Sequence, residues 1–249
     1  MAIELKPLNI KAQQKKAGYR PRILCNVEGI QKHGKSHFSL TAPKWLWYMN
    51  FDKISDEDIL PKFDGQNIVV SQYWPEDLTK EAGLVVWEKF LADWKEAKSN
   101  PDIRTIVVDT FTEVRNVCLQ KSFGKVSQLG NQFVYGGPHQ ELRQLINEVY
   151  TTNKNLILVH KEKKLYTDGN WKGEYELQGF ADTPFLVQTN LRLSRTQDKD
   201  GRWHFNCTVM DCSIGQGPDL IGAELSDEAC NFPTLATLIF PDTSVEEWS

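Results

Sequence analysis

The chain has 249 residues, 40% of them hydrophobic and 25% charged, with a net charge of −4. This composition suits a globular protein with a sizeable core, and the length is common for one large α/β domain. It excludes a polycation held to nucleic acid by bulk charge, and no run approaches the roughly 18 apolar residues of a membrane helix.

Residues 1–20 are polar and basic, with Lys6, Lys11, Lys15, Lys16 and Arg20 against Glu4 alone. They read as a loosely attached arm and lack the apolar stretch of a signal peptide. The segment RILCNV at 22–27 reads as a buried strand, 29–36 as a loop and 37–41 as the continuation into a helix. WLWYMNF at 45–51 is a second buried strand ending at Asp52, and 68–71 a third. Over 79–98 the spacing of Leu84, Trp87, Leu91 and Trp94 predicts an amphipathic helix with those four facing the core. Ser99-Asn100-Pro101 stops it.

TIVV at 105–108 is a β-branched strand ending at Asp109. A glycine-bearing loop at 130–138 leads to an amphipathic helix at 141–150, and LILV at 156–159 is a strand ending at His160. Two hairpins follow, turning at Asp168-Gly169 and Asp200-Gly201, with strands at 189–193 and 203–210. From 213 to 249 there is no Lys or Arg but seven acids. Within it 235–240 is apolar enough for a docked strand, which leaves the last nine residues as a candidate mobile end. Alternating strands and helices predict an α/β fold: a mostly parallel sheet, helices on both faces, and C-terminal β-hairpins. The expected division is a basic arm at 1–20, a core at 21–212 and an acidic extension at 213–249. The five cysteines contain no CxxC pair and read as reduced thiols of a cytoplasmic protein.

One segment carries specific chemistry. Gly29-Ile30-Gln31-Lys32-His33-Gly34-Lys35-Ser36 fits G-x-x-x-x-G-K-[ST], between a strand and a helix, with His37 opening the helix. A chance match in this length is on the order of one in a hundred at ordinary residue usage. The spacing lets backbone N–H groups wrap a phosphate chain while glycines permit close approach. Lys35 is placed to reach the β- and γ-phosphates of ATP, and the Ser36 hydroxyl to ligate Mg²⁺. Lys32 stands where many such loops have glycine.

Asp109, at the end of its strand, is the expected second Mg²⁺ group. To orient or deprotonate water the candidates are Asp52 and Glu113, the latter one turn past Asp109. His160 is expected either to hydrogen-bond the γ-phosphate or to be structural. Beyond it, Lys161, Lys163, Lys164 and Lys172 interleave with Tyr166, Trp171 and Tyr175. Cations that follow a backbone beside rings that stack bases suit single-stranded DNA.

GIQKHGKS at 29–36, NFD at 50–52, IVVDT at 106–110 and LILVH at 156–160, in this order, resemble the RecA-like P-loop ATPases. The narrower resemblance is to compact single-domain proteins of bacteriophages, including Sak-type recombinases and AAA-domain nucleotide-binding proteins. It spans roughly 20–212. It implies Mg²⁺-dependent ATP hydrolysis with Asp52 activating water, although many relatives have Glu there, and His160 as the γ-phosphate sensor. It also implies a phage role in recombination or replication. The partners implied are single-stranded DNA, further copies in a ring or filament, and a single-strand-binding protein. Arg192 and Arg195 are candidates to act across a subunit boundary. A P-loop kinase of nucleotides or small molecules, and a non-catalytic ATP-binding loader, remain alternatives.

Overall fold

The computed structural model describes residues 20–52, 58–124, 136–167 and 170–249. The arm before Arg20, the Asp168-Gly169 turn and most of the expected 130–138 loop lie outside them.

Among the described residues nine strands form one sheet: β1 (Leu24–Gly29), β2 (Leu46–Asn50), β3 (Ile68–Gln72), β4 (Thr105–Asp109), β5 (Asn155–Thr167), β6 (Asn170–Gln178), β7 (Thr189–Gln197), β8 (Trp203–Cys212) and β9 (Glu224–Ser226). Their order is β3-β2-β4-β5-β1-β7-β8-β9, with β6 paired to β5. The pairs from β3 across to β7 are parallel, whereas β5–β6, β7–β8 and β8–β9 are antiparallel. The strands β1, β2 and β4 are buried along their whole length, as a parallel sheet covered on both faces requires. The expected parallel sheet with C-terminal antiparallel strands is therefore present.

Helices α1 (Lys35–Leu40) and α6 (Phe232–Ile239) cover one face. There Phe38, Leu40, Phe232 and Leu235 pack on Cys25, Val27, Val107 and Val159. On the other face α2 (Lys80–Ser99), α3 (Phe111–Phe123) and α4 (Gly136–Val149) bury Trp94, Val114 and Leu142 against Leu24, Ile106 and Leu158. A short helix, α5 (Thr183–Leu186), precedes β7. Successive strand residues point to opposite faces, so each strand-end residue is assigned to one layer or the other by parity.

Two expectations change. The helix at 79–98 is present, but its core face is Gly83, Val86, Trp87, Phe90, Trp94 and Ala97. Leu84 and Leu91 are 42% and 37% exposed. Trp87 and Trp94 share a face with Phe90, and that larger apolar set wins the burial. The segment 235–240 is not a strand: it lies almost wholly within α6. Asn231 caps this helix by accepting from Thr234 N, Pro233 sits in the first turn, and Phe232, Leu235, Ala236 and Ile239 form a helical stripe. The last residues are docked too. Trp248 is 2% exposed, stacks on Phe240 and donates its indole N–H to Thr243 Oγ1 at 2.8 Å. Arg104 adds a hydrogen bond to the Glu247 carbonyl. Trp248 thus ties the candidate mobile end to the core, while most of the residues around it are exposed.

Candidate functional site

The loop 29–34 joins β1 to α1 at the C-terminal edge of the parallel strands, where open α/β sheets bind ligands. Gly29 is required by close approach, because a Cβ there would stand 2.6 Å from the Leu193 carbonyl oxygen of β7. Gly34 has φ +85, a left-handed conformation natural to glycine. Lys32, where glycine is common, also adopts a positive φ of 64. That costs roughly 1–2 kcal/mol and turns the loop despite its side chain. Ile30 is half-buried, Gln31 and His37 are exposed, and His33 is held by its Nδ1 at 3.1 Å from Leu193 O.

Lys35 Nζ donates to the carbonyls of Gly29 and Ile30, both at 2.7 Å, so the ammonium sits inside the curl of the loop. Burial pushes its pKa down, opposed by the carboxylates of Asp109, Glu162 and Asp52.

Sequence reasoning placed Ser36 and Asp109 together, and they meet. Ser36 Oγ donates to Asp109 Oδ2 at 2.5 Å across 73 residues. A second donor was missed: Tyr48 OH donates to the same oxygen at 2.7 Å. Its signal lay in the alternation of WLWYMNF, which puts Tyr48 on the face of α1. Asp109 is 2% exposed, and burial raises its carboxyl pKa against the pull of these two donors. A hydroxyl beside a buried carboxylate is a hard-oxygen pair that suits Mg²⁺, which keeps several waters and takes only one or two carboxylates. Among the described residues no group of three His, Cys, Asp or Glu forms a closed metal cage. Such a cage would suit other metals better.

The two base candidates differ. Asp52 lies just past β2, half-buried, its N–H donating to Asn50 Oδ1 at 2.8 Å, and its charge acts on both Lys35 and Asp109. Glu113, in the first turn of α3, accepts from Lys161 Nζ at 2.7 Å and Asn116 Nδ2 at 2.9 Å. Burial opposes its ionisation, but those donors outweigh it and hold its pKa low. A carboxylate so engaged is a poor proton acceptor.

His160 does not face the loop. It is fully buried on the α3 side of the sheet, its Nε2 3.2 Å from Thr183 Oγ1 and its ring edge-on to Phe111. Burial lowers its pKa to about 3. Strand parity is the reason: Val159 is buried in the core shared with α1, so His160 turns away. Its neighbour Lys161 instead comes near the loop, where its charge acts on Lys35 and its ammonium pairs with Glu113.

The expected DNA-facing residues lie on the β5–β6 extension. Tyr166 and Trp171 are exposed, and Lys164 lies over the Trp171 ring at 4.8 Å. Lys163 pairs with Glu176 at 3.2 Å, while Lys172 is exposed. Arg192 is engaged within the chain by Glu28 at 2.6 Å and Glu162 at 2.8 Å. Arg195 lies over Trp203 at 4.2 Å.

A model of the family described as AAA domain matches residues 24–185. No curated protein matches the sequence. Among solved structures, a KaiC-like protein from Pyrococcus horikoshii is similar at 11% identity and a TM-score of 0.47, covering 79% of this chain and 82% of that one. The flagellar accessory protein FlaH from Methanocaldococcus jannaschii is similar at 10% identity and a TM-score of 0.41, covering 88% and 91%. The sheet order places β5 between the loop strand β1 and the acid strand β4, in a mostly parallel sheet.

Proposed function

The chain belongs to the AAA domain family, and from that premise we propose that it is a Mg²⁺-dependent ATPase of RecA-like type. One observation carries the reading: the Ser36–Asp109 hydrogen bond of 2.5 Å, which joins the loop to the strand-end acid beside Lys35. The backbone N–H groups of 29–36 wrap the phosphates, and Lys35 exchanges its carbonyl partners for phosphate oxygens. Ser36 and Asp109 would hold Mg²⁺, which would supply positive charge at the phosphates. Asp52 orients the attacking water. The test is phosphate release by Lys35→Ala, expected to fall at least about a hundredfold, as for loss of an electrostatic group at a transition state. Normal turnover in a folded Lys35→Ala protein would sink the reading.

A narrower reading has the protein act on single-stranded DNA as a ring or filament, in phage recombination or replication. The observation favouring it is the exposed Tyr166–Trp171 pair with Lys164 and Lys172 on the β5–β6 extension. Lys161, at the base of that extension, pairs with Glu113 of α3, and its charge acts on Lys35. Trp171→Ala is expected to weaken single-strand binding by roughly 1–3 kcal/mol with little change in its salt dependence. Unchanged affinity places any DNA site elsewhere.

A further inference from the structure

The hairpin of β7 and β8 stands over the loop in a way the ATPase reading does not use. β7 is the parallel neighbour of β1, pairing Arg192 with Glu28, and its Leu193 carbonyl abuts Gly29 and meets His33. From Leu193 the strand continues to Gln197, paired with β8 as far as Trp203. Four residues at about 3.4 Å each lift the hairpin roughly 13 Å beyond the start of the loop.

Parity decides what that rise presents. Leu193 and its partner Cys207 are buried in the core shared with α1. The next residues on the same face are Arg195 paired with Phe205, then Gln197 paired with Trp203. The Phe205 ring packs on the loop, since a Cβ at Gly34 would stand 3.2 Å from it. Trp203 follows one pleat further out, with the Arg195 guanidinium 4.2 Å from its ring centre. The two rings are nevertheless 38% and 44% exposed, a large aromatic surface left open next to a phosphate-binding loop.

The hairpin is held from its other side. Asp227 accepts from Phe205 N at 3.2 Å and lies 2.7 Å from His204 Nδ1. Asp198 Oδ1 accepts the N–H groups of Asp200 and Arg202, both at 2.9 Å, which closes the turn.

A bound nucleotide has a direction. Ser36 and Asp109 mark its Mg²⁺ end, on the β4 side of β1, while β7 lies on the opposite side. The ribose and base therefore leave the loop past Gly34 toward Phe205 and Trp203.

We propose that Phe205, Trp203 and Arg195 form the wall on which the nucleobase stacks; this rests on the nucleotide reading above. The wall offers ring and guanidinium faces, and the Gln197 amide N–H beside it is already donated to Gly201 O at 2.8 Å. Stacking of this kind tolerates any base with a large π-face. The substrate class is purine nucleoside triphosphates with little discrimination between adenine and guanine.

The test is calorimetric titration of the full chain with Mg-ATP, Mg-GTP and Mg-tripolyphosphate, the last having phosphates but no base. Wild type is expected to bind ATP and GTP within about threefold of one another and both at least about fivefold more tightly than tripolyphosphate. Trp203→Ala and Phe205→Leu remove that advantage and leave tripolyphosphate affinity unchanged, whereas Trp203→Phe keeps it. Equal wild-type affinity for ATP and tripolyphosphate overturns the wall, as does retained ATP affinity in both disrupting variants. Equal loss of ATP and tripolyphosphate affinity in those variants overturns it too, by assigning the hairpin to loop support. Tripolyphosphate binding that survives Lys35→Ala strikes at the phosphate site itself, a separate failure.

Discussion

The two faces of the sheet end differently at the edge that carries the loop. On the α1 face the strand ends converge on one small space: Asp109 and Tyr48 meet Ser36, and the β7–β8 hairpin leans over Gly34. On the α3 face the strand ends close on one another. Glu28, Glu162 and Arg192 form an ion-pair network, and His160 is sealed against Thr183 and Phe111. Polar residues at strand ends are thus of two kinds: those gathered at the loop and those engaged with one another. The closed face keeps its charges paired because buried, unpaired ions are costly.

The largest expected effect tests whether the acidic C-terminal region belongs to the α1 face. Trp248→Ala should cost about 3–5 kcal/mol in urea unfolding, as deletion of a buried indole usually does. A loss below about 1 kcal/mol would make the docked end dispensable.

Asp109→Asn separates chemistry from scaffold on the same face. Turnover should fall about a hundredfold, with a raised Mg²⁺ requirement. Stability at neutral pH should hold or rise, because burial lifts the Asp109 pKa above its unfolded value, so that ionisation opposes folding. A variant that unfolds would move Asp109 from the site to the scaffold.

On the closed face, His160 should govern pH dependence instead of turnover. Its folded pKa is about 3, far below an ordinary histidine, so the unfolded chain takes up a proton that the folded one refuses. Its contribution is intact above about pH 6.5 and lost at about 1.4 kcal/mol per pH unit below it, down toward pH 3. His160→Gln should flatten the slope of stability between pH 6.5 and 5 while sparing ATPase activity. A steep loss of turnover at unchanged stability would restore the sensor role.

The smallest effect concerns the loop. Lys32→Gly should relieve the positive φ and stabilise by up to about 1 kcal/mol in thermal unfolding, net of the entropy glycine adds to the unfolded chain. Destabilisation would mean that the Lys32 side chain makes a contact worth more than the strain.

Much of this was readable along the chain, for a physical reason. The loop motif, the buried strands and the Asp200-Gly201 turn depend on backbone freedom and apolar periodicity within a dozen residues, and those are written locally. The Ser36–Asp109 pairing also followed, because a loop strand and an acid-ending strand of one parallel sheet bring their ends to the same edge.

Other features were not local. Five apolar residues and Thr237 at 235–240 fit a strand or a helix equally. Asn231, Pro233 and the space beside β1 chose the helix. LILVH ends in a polar residue whichever way its side chain turns; pairing with β1 and β4 sent Val159 toward α1 and His160 away, leaving Lys161 near the loop. Nothing near Phe205 in sequence points to Gly34, 171 positions away. Their contact exists because β7 pairs with β1 and carries β8 with it. Local pattern decides which elements form, but strand register decides which face each side chain joins, and that is settled only when distant strands pair.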